Sequence, residues 1–474
     1  MTTEDPDRPE RPEQIDRLVL LGATGDLTGR LLLPALAGLI AAGWAPAHLQ
    51  ITGVGRDDWS DEEFRQHCAA RLTEHADADA KARDQLVSSL SYVRADVTDP
   101  DQLASAFPDD RPCVVYLALP NALFAPTCRA LAGIGLGAGS VLVVEKPFGT
   151  GLADARALNA LVTDVVPEER VFRVDHFLAK QTIVNVLGLR FANRIFEPLW
   201  NNVHIEKVDI VFDETLGLEG RAGYYDSAGA LRDMVQNHLL QVLALVAMEP
   251  PLSMGERDLR DRKMDALRAV RWSGSSVRAR YSAGRVGERS LPAYVDEDGV
   301  DPAHGTETFA EVVLAVDNWR WAGVPFRLRS GKALARKHQE VLITFRPVPH
   351  LPFPDALEVA PNTLRLSLSP DQIVLDLNVN GPGDPFDLEH AALVLPLPDH
   401  EHDPYTLLLA DIFGADPTLS IRGDEAEECW RIVEPILAAW SSGEPPLLEY
   451  PAGSTGPAHG SPPPAEAQAG PTPQ

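Results

Sequence analysis

The chain is predicted to fold as an α/β Rossmann-like domain followed by an α+β domain with a large, mostly antiparallel sheet. Three observations predict it. Up to about residue 175, short apolar runs alternate with helix-like segments. The first such run opens directly into a glycine turn and an apolar helix. Beyond that point, several long runs of alternating polarity follow one another with few helices between. Strands alternating with helices imply a parallel, doubly wound sheet, and strands in succession imply an antiparallel one.

Residues 1–15, MTTEDPDRPERPEQI, have little to bury and are expected to be disordered. Residues 17–21 form a short, fully buried strand, which runs into GATGDLTGR (22–30) and the helix-like LLLPALAGLIAAG (31–43). Gly22 and Gly25 let backbone approach a pyrophosphate, and the helix start offers free N–H groups. The spacing is G-x-x-G, so a tight turn without a ligand gives the same pattern. A second strand, 48–55, ends at Arg56. An acidic residue here suits ribose hydroxyls and an arginine suits a 2′-phosphate. Arg56 therefore favours NADP, while Asp57 and Asp58 keep NAD possible. A merely solvated loop arginine is the plain alternative.

Residues 61–90 read as one or two surface helices, and 92–96, 113–120 and 140–149 as further strands. Lys146 lies at the carboxyl end of a buried strand, where open α/β sheets take their ligands. The first domain is thus 16–175, and 176–450 forms the substrate and oligomerisation domain. The latter begins with a helix over 180–196 and a strand at 208–212, then an amphipathic stretch, 228–248. Strands are expected within 306–321, 324–329, 339–346, 363–369 and 372–378, and a surface helix pair at 423–442. Residues 451–474 are Pro-, Gly- and Ala-rich, a tail expected to be disordered beyond its first few residues. There are no internal repeats.

Composition narrows the function. The net charge of -27 argues against nucleic-acid or anionic-membrane partners, whose footprint is basic. An anionic substrate then needs a local basic cluster within an acidic field. Cys68, Cys113, Cys128 and Cys429 fit neither a zinc site nor a disulfide framework, and are expected to be reduced thiols. The N-terminus lacks a basic-then-apolar signal and no apolar run reaches membrane-spanning length, so a cytoplasmic protein is expected. The scattered histidines lack ligand spacing, and no metal site is expected.

Seven motifs in order resemble the glucose-6-phosphate dehydrogenase family. They are GATGDL (22–27), EKPFG (145–149), RVDHFLAK (173–180), EGRAGYYDSAGALRDMVQNHLLQ (219–241), RLRSGKAL (327–334), TLSIRGDEAEECW (418–430) and YPAGSTGP (450–457). The resemblance implies homo-oligomers, dimeric or tetrameric, that oxidise glucose 6-phosphate to the lactone with NADP. Carried over by motif, His238 is the proton acceptor and Asp175 its partner. His176, Lys180, Glu214, Asp233, Lys332 and Lys337 bind the sugar phosphate. Gly22, Thr24, Gly25, Asp26, Leu27 and Arg56 face the cofactor, and Lys146 touches both ligands. Tyr405 matches a further family position.

The chemistry wants these residue types. Oxidising a sugar C1 hydroxyl removes a proton from oxygen and a hydride from carbon. Histidine is the base needing the smallest pKa shift, and a carboxylate beside it fixes its tautomer. His176, Lys180 and Lys337 can neutralise a phosphate, and Glu214 and Asp233 accept from sugar hydroxyls. By itself, a lone histidine in such a run is as well explained as a satisfied core residue. Four positions depart from the family. Phe177 replaces a usual tyrosine, Gln181 a glutamate, Leu31 a lysine near the cofactor and Thr455 a tryptophan. The departure at Phe177 motivates a second reading, a sugar 1-dehydrogenase for another aldose or aldose phosphate. A third is a silent NADP-sensing homologue, disfavoured because Asp175, His238 and Lys146 are all present.

Overall fold

The computed structural model describes residues 15–458 except 77, 176, 179, 180, 221, 354–358, 369, 384, 385 and 399–401. It divides into two compact units. The first comprises residues up to 180 with two later segments, 253–260 and 400–427, and the second holds the rest.

In the first unit, β1 (Arg17–Leu21), β2 (Gln50–Gly55), β3 (Leu90–Arg94), β4 (Val114–Leu117), β5 (Val141–Val144) and β6 (Val171–Arg173) form one sheet. All its pairs are parallel, in the order β3-β2-β1-β4-β5-β6. This is the doubly wound order, whose switch point lies between β1 and β4. β1, β4, β5 and β6 are buried along their whole length, which is why they are continuous apolar runs in the sequence. Helices Leu33–Ala41 and Asp61–His75 supply Leu36, Leu39, Phe64 and Leu72 to the core.

Two expectations need correction here. Ile15 does not belong to a disordered leader. It is buried, and its N–H donates to the Phe413 carbonyl. Nor do residues 400–427 belong with the second domain. The helix Pro404–Phe413 packs on Leu33–Ala41, with Leu409, Ile412 and Phe413 in the first core. Such a return is set by tertiary packing and leaves no local mark in the sequence.

In the second unit come β7 (Ile205–Asp213), β8 (Val270–Ser282) and a short ribbon, β9 (Gly284–Val286) with β10 (Arg289–Leu291). Then follow β11 (Phe309–Val316), β12 (Pro325–Gly331), β13 (His338–Phe345), β14 (Thr363–Leu368), β15 (Asp371–Asn380), β16 (Leu388–Pro396) and β17 (Leu447–Pro451). All but the ribbon join a nine-stranded sheet, β16-β15-β14-β13-β7-β12-β11-β8-β17. It is antiparallel except where β7 meets β12 and β8 meets β17.

One helical stretch runs through Ala222–Ala230, Leu231–Leu239 and Leu240–Ala247, the middle part π-helical. It is not the amphipathic helix expected. Leu231 and Met234 through Ala247 are all buried, Gln236, Asn237 and Gln241 included. β11 and β12 pack on its middle part, and the helix Gln181–Phe191 on its last part, so residues 234–247 leave no face for water. Its end is held by Arg190, fully buried, which donates to the carbonyls of Leu245, Val246 and Met248 at 3.1, 3.1 and 2.9 Å. A cation near a helix C-terminus can satisfy the last carbonyls and complement the helix dipole. Trp200 Nε1 and Trp321 Nε1 donate to Val246 and Ala247, both at 2.8 Å. The expected surface pair at 423–442 is one helix, Gly423–Ser441, running through Pro435. Ile432, Val433, Ile436 and Trp440 are buried on both sides of the proline and hold the axis continuous.

Replacing Arg190 by Met should take this donor from the buried Leu245 and Met248 carbonyls, while Val246 keeps Trp200 and Glu197 keeps Arg320. A loss of about 3 kcal/mol or more in urea unfolding is expected. A Trp321→Phe control, losing one hydrogen bond, should cost about 1 kcal/mol. Equal stability of the Arg190 variant and the parent would contradict this account of the helix end.

Candidate active site

The first unit carries the dinucleotide turn at the switch point. Gly22 has φ +85°, and a Cβ there would stand 2.3 Å from the Ala118 carbonyl oxygen just past β4. Only glycine lets the ends of β1 and β4 come this close. The turn is closed by Gly25 N–H to Gly22 O at 3.0 Å and by the Thr28 hydroxyl to the same oxygen at 3.1 Å. Thr24, Asp26 and Leu27 lie in or just after it, leading into the helical start at Thr28. Asp26 is exposed and pairs with Arg71 at 3.3 Å and Arg30 at 3.5 Å. Arg56 is exposed at the end of β2. A turn whose backbone is bare of side chains at the switch point fits a dinucleotide phosphate.

Lys146 and Asp175 stand two residues beyond β5 and β6, which are parallel neighbours. Val174 N–H donates to the Val144 carbonyl and keeps the two strand ends together. Asp175 is 3% exposed and accepts from the Phe177 N–H at 2.8 Å. Phe177 itself is buried. His176 and Lys180 lie outside the described residues.

Beside these stands a buried acid, Glu145, to which the sequence alone assigns no role. Glu145 accepts from the Tyr116 hydroxyl at 2.6 Å and is hydrogen-bonded to Tyr405. Burial pushes its carboxyl up to about 7, while the Tyr116 hydroxyl and the Lys146 ammonium pull it down and Asp175 adds to the rise. Burial and the charges of Glu145 and Asp175 push the Tyr405 phenol far above its ordinary range. Tyr405 therefore stays a neutral donor between two carboxylates. The available signal was an acid directly after a wholly apolar strand, in 141–146.

The second unit gathers another group. Lys332 Nζ, just beyond β12, is 2.6 Å from Glu214 Oε2, just beyond β7. β7 and β12 run parallel side by side, which brings these ends together. The Lys332 ammonium also lies 5.1 Å from the centre of the Tyr225 ring. Asp233 accepts from the Tyr224 hydroxyl at 3.2 Å, and burial raises the Tyr225 phenol, with the charges of Asp233 and Glu214 adding to the rise. Tyr224 and Tyr225 were not singled out in the sequence. Lys337 is exposed past this group.

His238 is wholly buried in the π-helical segment, and its backbone N–H donates to Asn237 Oδ1 at 2.5 Å. The start of that segment is fixed by Glu307, whose carboxylate accepts from the Leu231 N–H at 2.9 Å. Gly229 makes this possible. It has φ +69°, and a Cβ would sit 2.4 Å from the Glu307 carboxylate.

Among the described residues, no helix is long and apolar enough to cross a membrane. None of their His, Cys, Asp and Glu side chains form a group of three that could hold a metal. The four cysteines are buried thiols, and burial pushes Cys68 and Cys128 up to about 12.

Two family models match. That for the glucose-6-phosphate dehydrogenase NAD binding domain covers residues 19–185, and that for the C-terminal domain covers 187–463. The glucose-6-phosphate 1-dehydrogenase of Treponema pallidum is 39% identical, over 93% of this chain and 92% of that protein. A solved glucose-6-phosphate dehydrogenase in complex with its substrate glucose-6-phosphate is 31% identical, with a TM-score of 0.85 over 94% of this chain and 96% of that one. The crystal structure of glucose-6-phosphate 1-dehydrogenase from Mycobacterium avium is 36% identical, with a TM-score of 0.83 over 94% and 96% of the two chains. With both halves matched and identity at this level over nearly the whole length, this chain belongs to the glucose-6-phosphate dehydrogenase family.

Proposed function

We propose that the protein oxidises D-glucose 6-phosphate at C1 to 6-phospho-D-glucono-1,5-lactone, with NADP as hydride acceptor, in the cytoplasm. This is the entry step of the pentose phosphate pathway. Support comes above all from Lys146 and Asp175, two residues beyond adjacent parallel strands, at the sheet end where open α/β proteins take their ligands. The turn at Gly22, Thr24, Gly25, Asp26 and Leu27 would hold the dinucleotide, with Arg56 toward a 2′-phosphate. When bound, the nicotinamide accepts the hydride from C1.

The chain's own side chains do the rest. His238 takes the proton from the C1 hydroxyl. Its complete burial keeps competing water off the imidazole. Asp175 holds the ring in the tautomer that accepts this proton and stabilises the imidazolium formed. Lys332, Glu214 and Asp233 bind sugar hydroxyls, with the Lys332–Glu214 pair already made before any sugar arrives. His176, Lys180 and Lys337 take the phosphate, and Lys146 contacts both ligands. Phe177 offers no phenol to that phosphate, which keeps oxidation of another aldose phosphate as the second reading.

The protein also assembles with itself in this reading. β16 is an edge strand, and Leu393, Val394 and Leu395 on it are 63%, 53% and 58% exposed. They line an apolar hollow of about 530 Å³ with Leu189, Phe196 and Ile373. A long apolar edge left in water invites pairing with another chain, and a second copy covers it here.

Following absorbance at 340 nm with glucose 6-phosphate, glucose and galactose 6-phosphate should give the largest kcat/KM for glucose 6-phosphate, and a larger one with NADP than NAD. A preference for another aldose would select the second reading. His238→Asn should lower kcat by about 10²–10⁴ with KM little changed, and Asp175→Asn should act in the same direction. Unchanged turnover in either removes that residue's role. In sedimentation, the protein should run as a dimer or tetramer, and Leu393→Glu with Leu395→Glu should shift it to monomer. A monomeric parent would refute the assembly.

A further inference from the structure

Cofactor choice need not rest on Arg56 alone. In the β2/β3 ladder Gly55 stands directly opposite Arg94. Arg56 follows Gly55, so two arginines leave the carboxyl ends of adjacent strands, both exposed. In open α/β units the end of the second strand faces the adenosine ribose. Arg94 Nη1 lies 2.9 Å from Asp58 Oδ1, in a pair whose side chains are 60% and 86% exposed.

The loop carrying Asp58 is pinned. The Tyr92 hydroxyl donates to the Asp57 carbonyl at 3.1 Å. Its ring packs on Phe64 and Trp59, with centroids 5.0 and 6.0 Å away. Gly55 leaves room for this hydroxyl, since a Cβ there would meet it at 2.7 Å. Asp58 is thus kept beside Arg94 by backbone as well as by charge.

We propose that Arg94 is a second arginine for the cofactor's 2′-phosphate, and that Asp58 competes with that phosphate for it. The inference rests on the reading of the chain as a nicotinamide-dependent dehydrogenase. An ion pair this exposed contributes little, because water and salt screen it. A phosphate dianion on a planar guanidinium forms stronger, paired hydrogen bonds. The 2′-phosphate therefore displaces the carboxylate at small cost. With NAD, Arg94 stays paired with Asp58, and the Asp57 and Asp58 carboxylates remain as acceptors for a 2′-hydroxyl. The same loop then serves both cofactors, with Asp58 setting the ratio.

Calorimetric titration of the full chain with NADP+, NAD+ and 2′,5′-ADP tests this without turnover. Arg94→Met should weaken NADP+ and 2′,5′-ADP about tenfold while NAD+ stays within about twofold. Asp58→Asn should tighten NADP+ and 2′,5′-ADP by about threefold or more. The proposal is overturned if Arg94→Met spares NADP+ or weakens both dinucleotides equally. It is overturned equally if Asp58→Asn fails to tighten NADP+. Failure of the parent protein to turn over glucose 6-phosphate would count against the dehydrogenase reading instead, since the binding ratios stand apart from catalysis.

Discussion

The helix that carries His238 is clamped at both ends by buried charge, and the second unit is built around that clamp. At the start, the Glu307 carboxylate accepts from Leu231 N–H, over a glycine that alone leaves space for it. At the end, Arg190 and two tryptophans take the last carbonyls. A helix start is electropositive and a helix end electronegative, so an acid at one and a cation at the other both stabilise it. Fixed at both ends, the segment between cannot slide or unwind without exposing several buried polar groups. A histidine on such a segment has its backbone fixed, which suits the role of base proposed for His238.

The acidic character of the chain makes that local order more important. A net charge of -27 repels a sugar phosphate and a dinucleotide alike. The cations proposed to meet them are accordingly held by acids nearby, as Lys332 is by Glu214 and Arg94 by Asp58. Each such pair keeps a cation in place until an anion or a hydroxyl replaces part of its partner's role. Glu145 is the exception. It is buried among tyrosines, with a proton affinity near neutrality, beside Lys146 and Asp175.

Much of this was legible in the sequence because β1, β4, β5 and β6 of the first sheet are buried on both faces. Such strands are unbroken apolar runs, and β1 was marked to the residue. The G-x-x-G turn and Lys146 followed from where those runs end. What could not be read was whatever depends on a partner distant in the chain. Glu145 and Tyr116 come together because β4 and β5 are neighbours in register. Arg94 gains meaning only from lying opposite Gly55. The return of 404–413 to the first core has no local signal at all. The stretch 228–248 looked amphipathic because Gln236, Asn237 and Gln241 are polar, yet all three are buried. The helix pair expected over 423–442 is one helix, with buried side chains on both sides of Pro435.

The most direct measurement is a crystal structure of the protein with glucose 6-phosphate bound. The account predicts the C1 hydroxyl within hydrogen-bond distance of one His238 ring nitrogen, about 3 Å, and the Asp175 carboxylate on the other. A bound sugar with its C1 hydroxyl beyond about 4 Å from His238, or with Asp175 turned away from that ring, would contradict it.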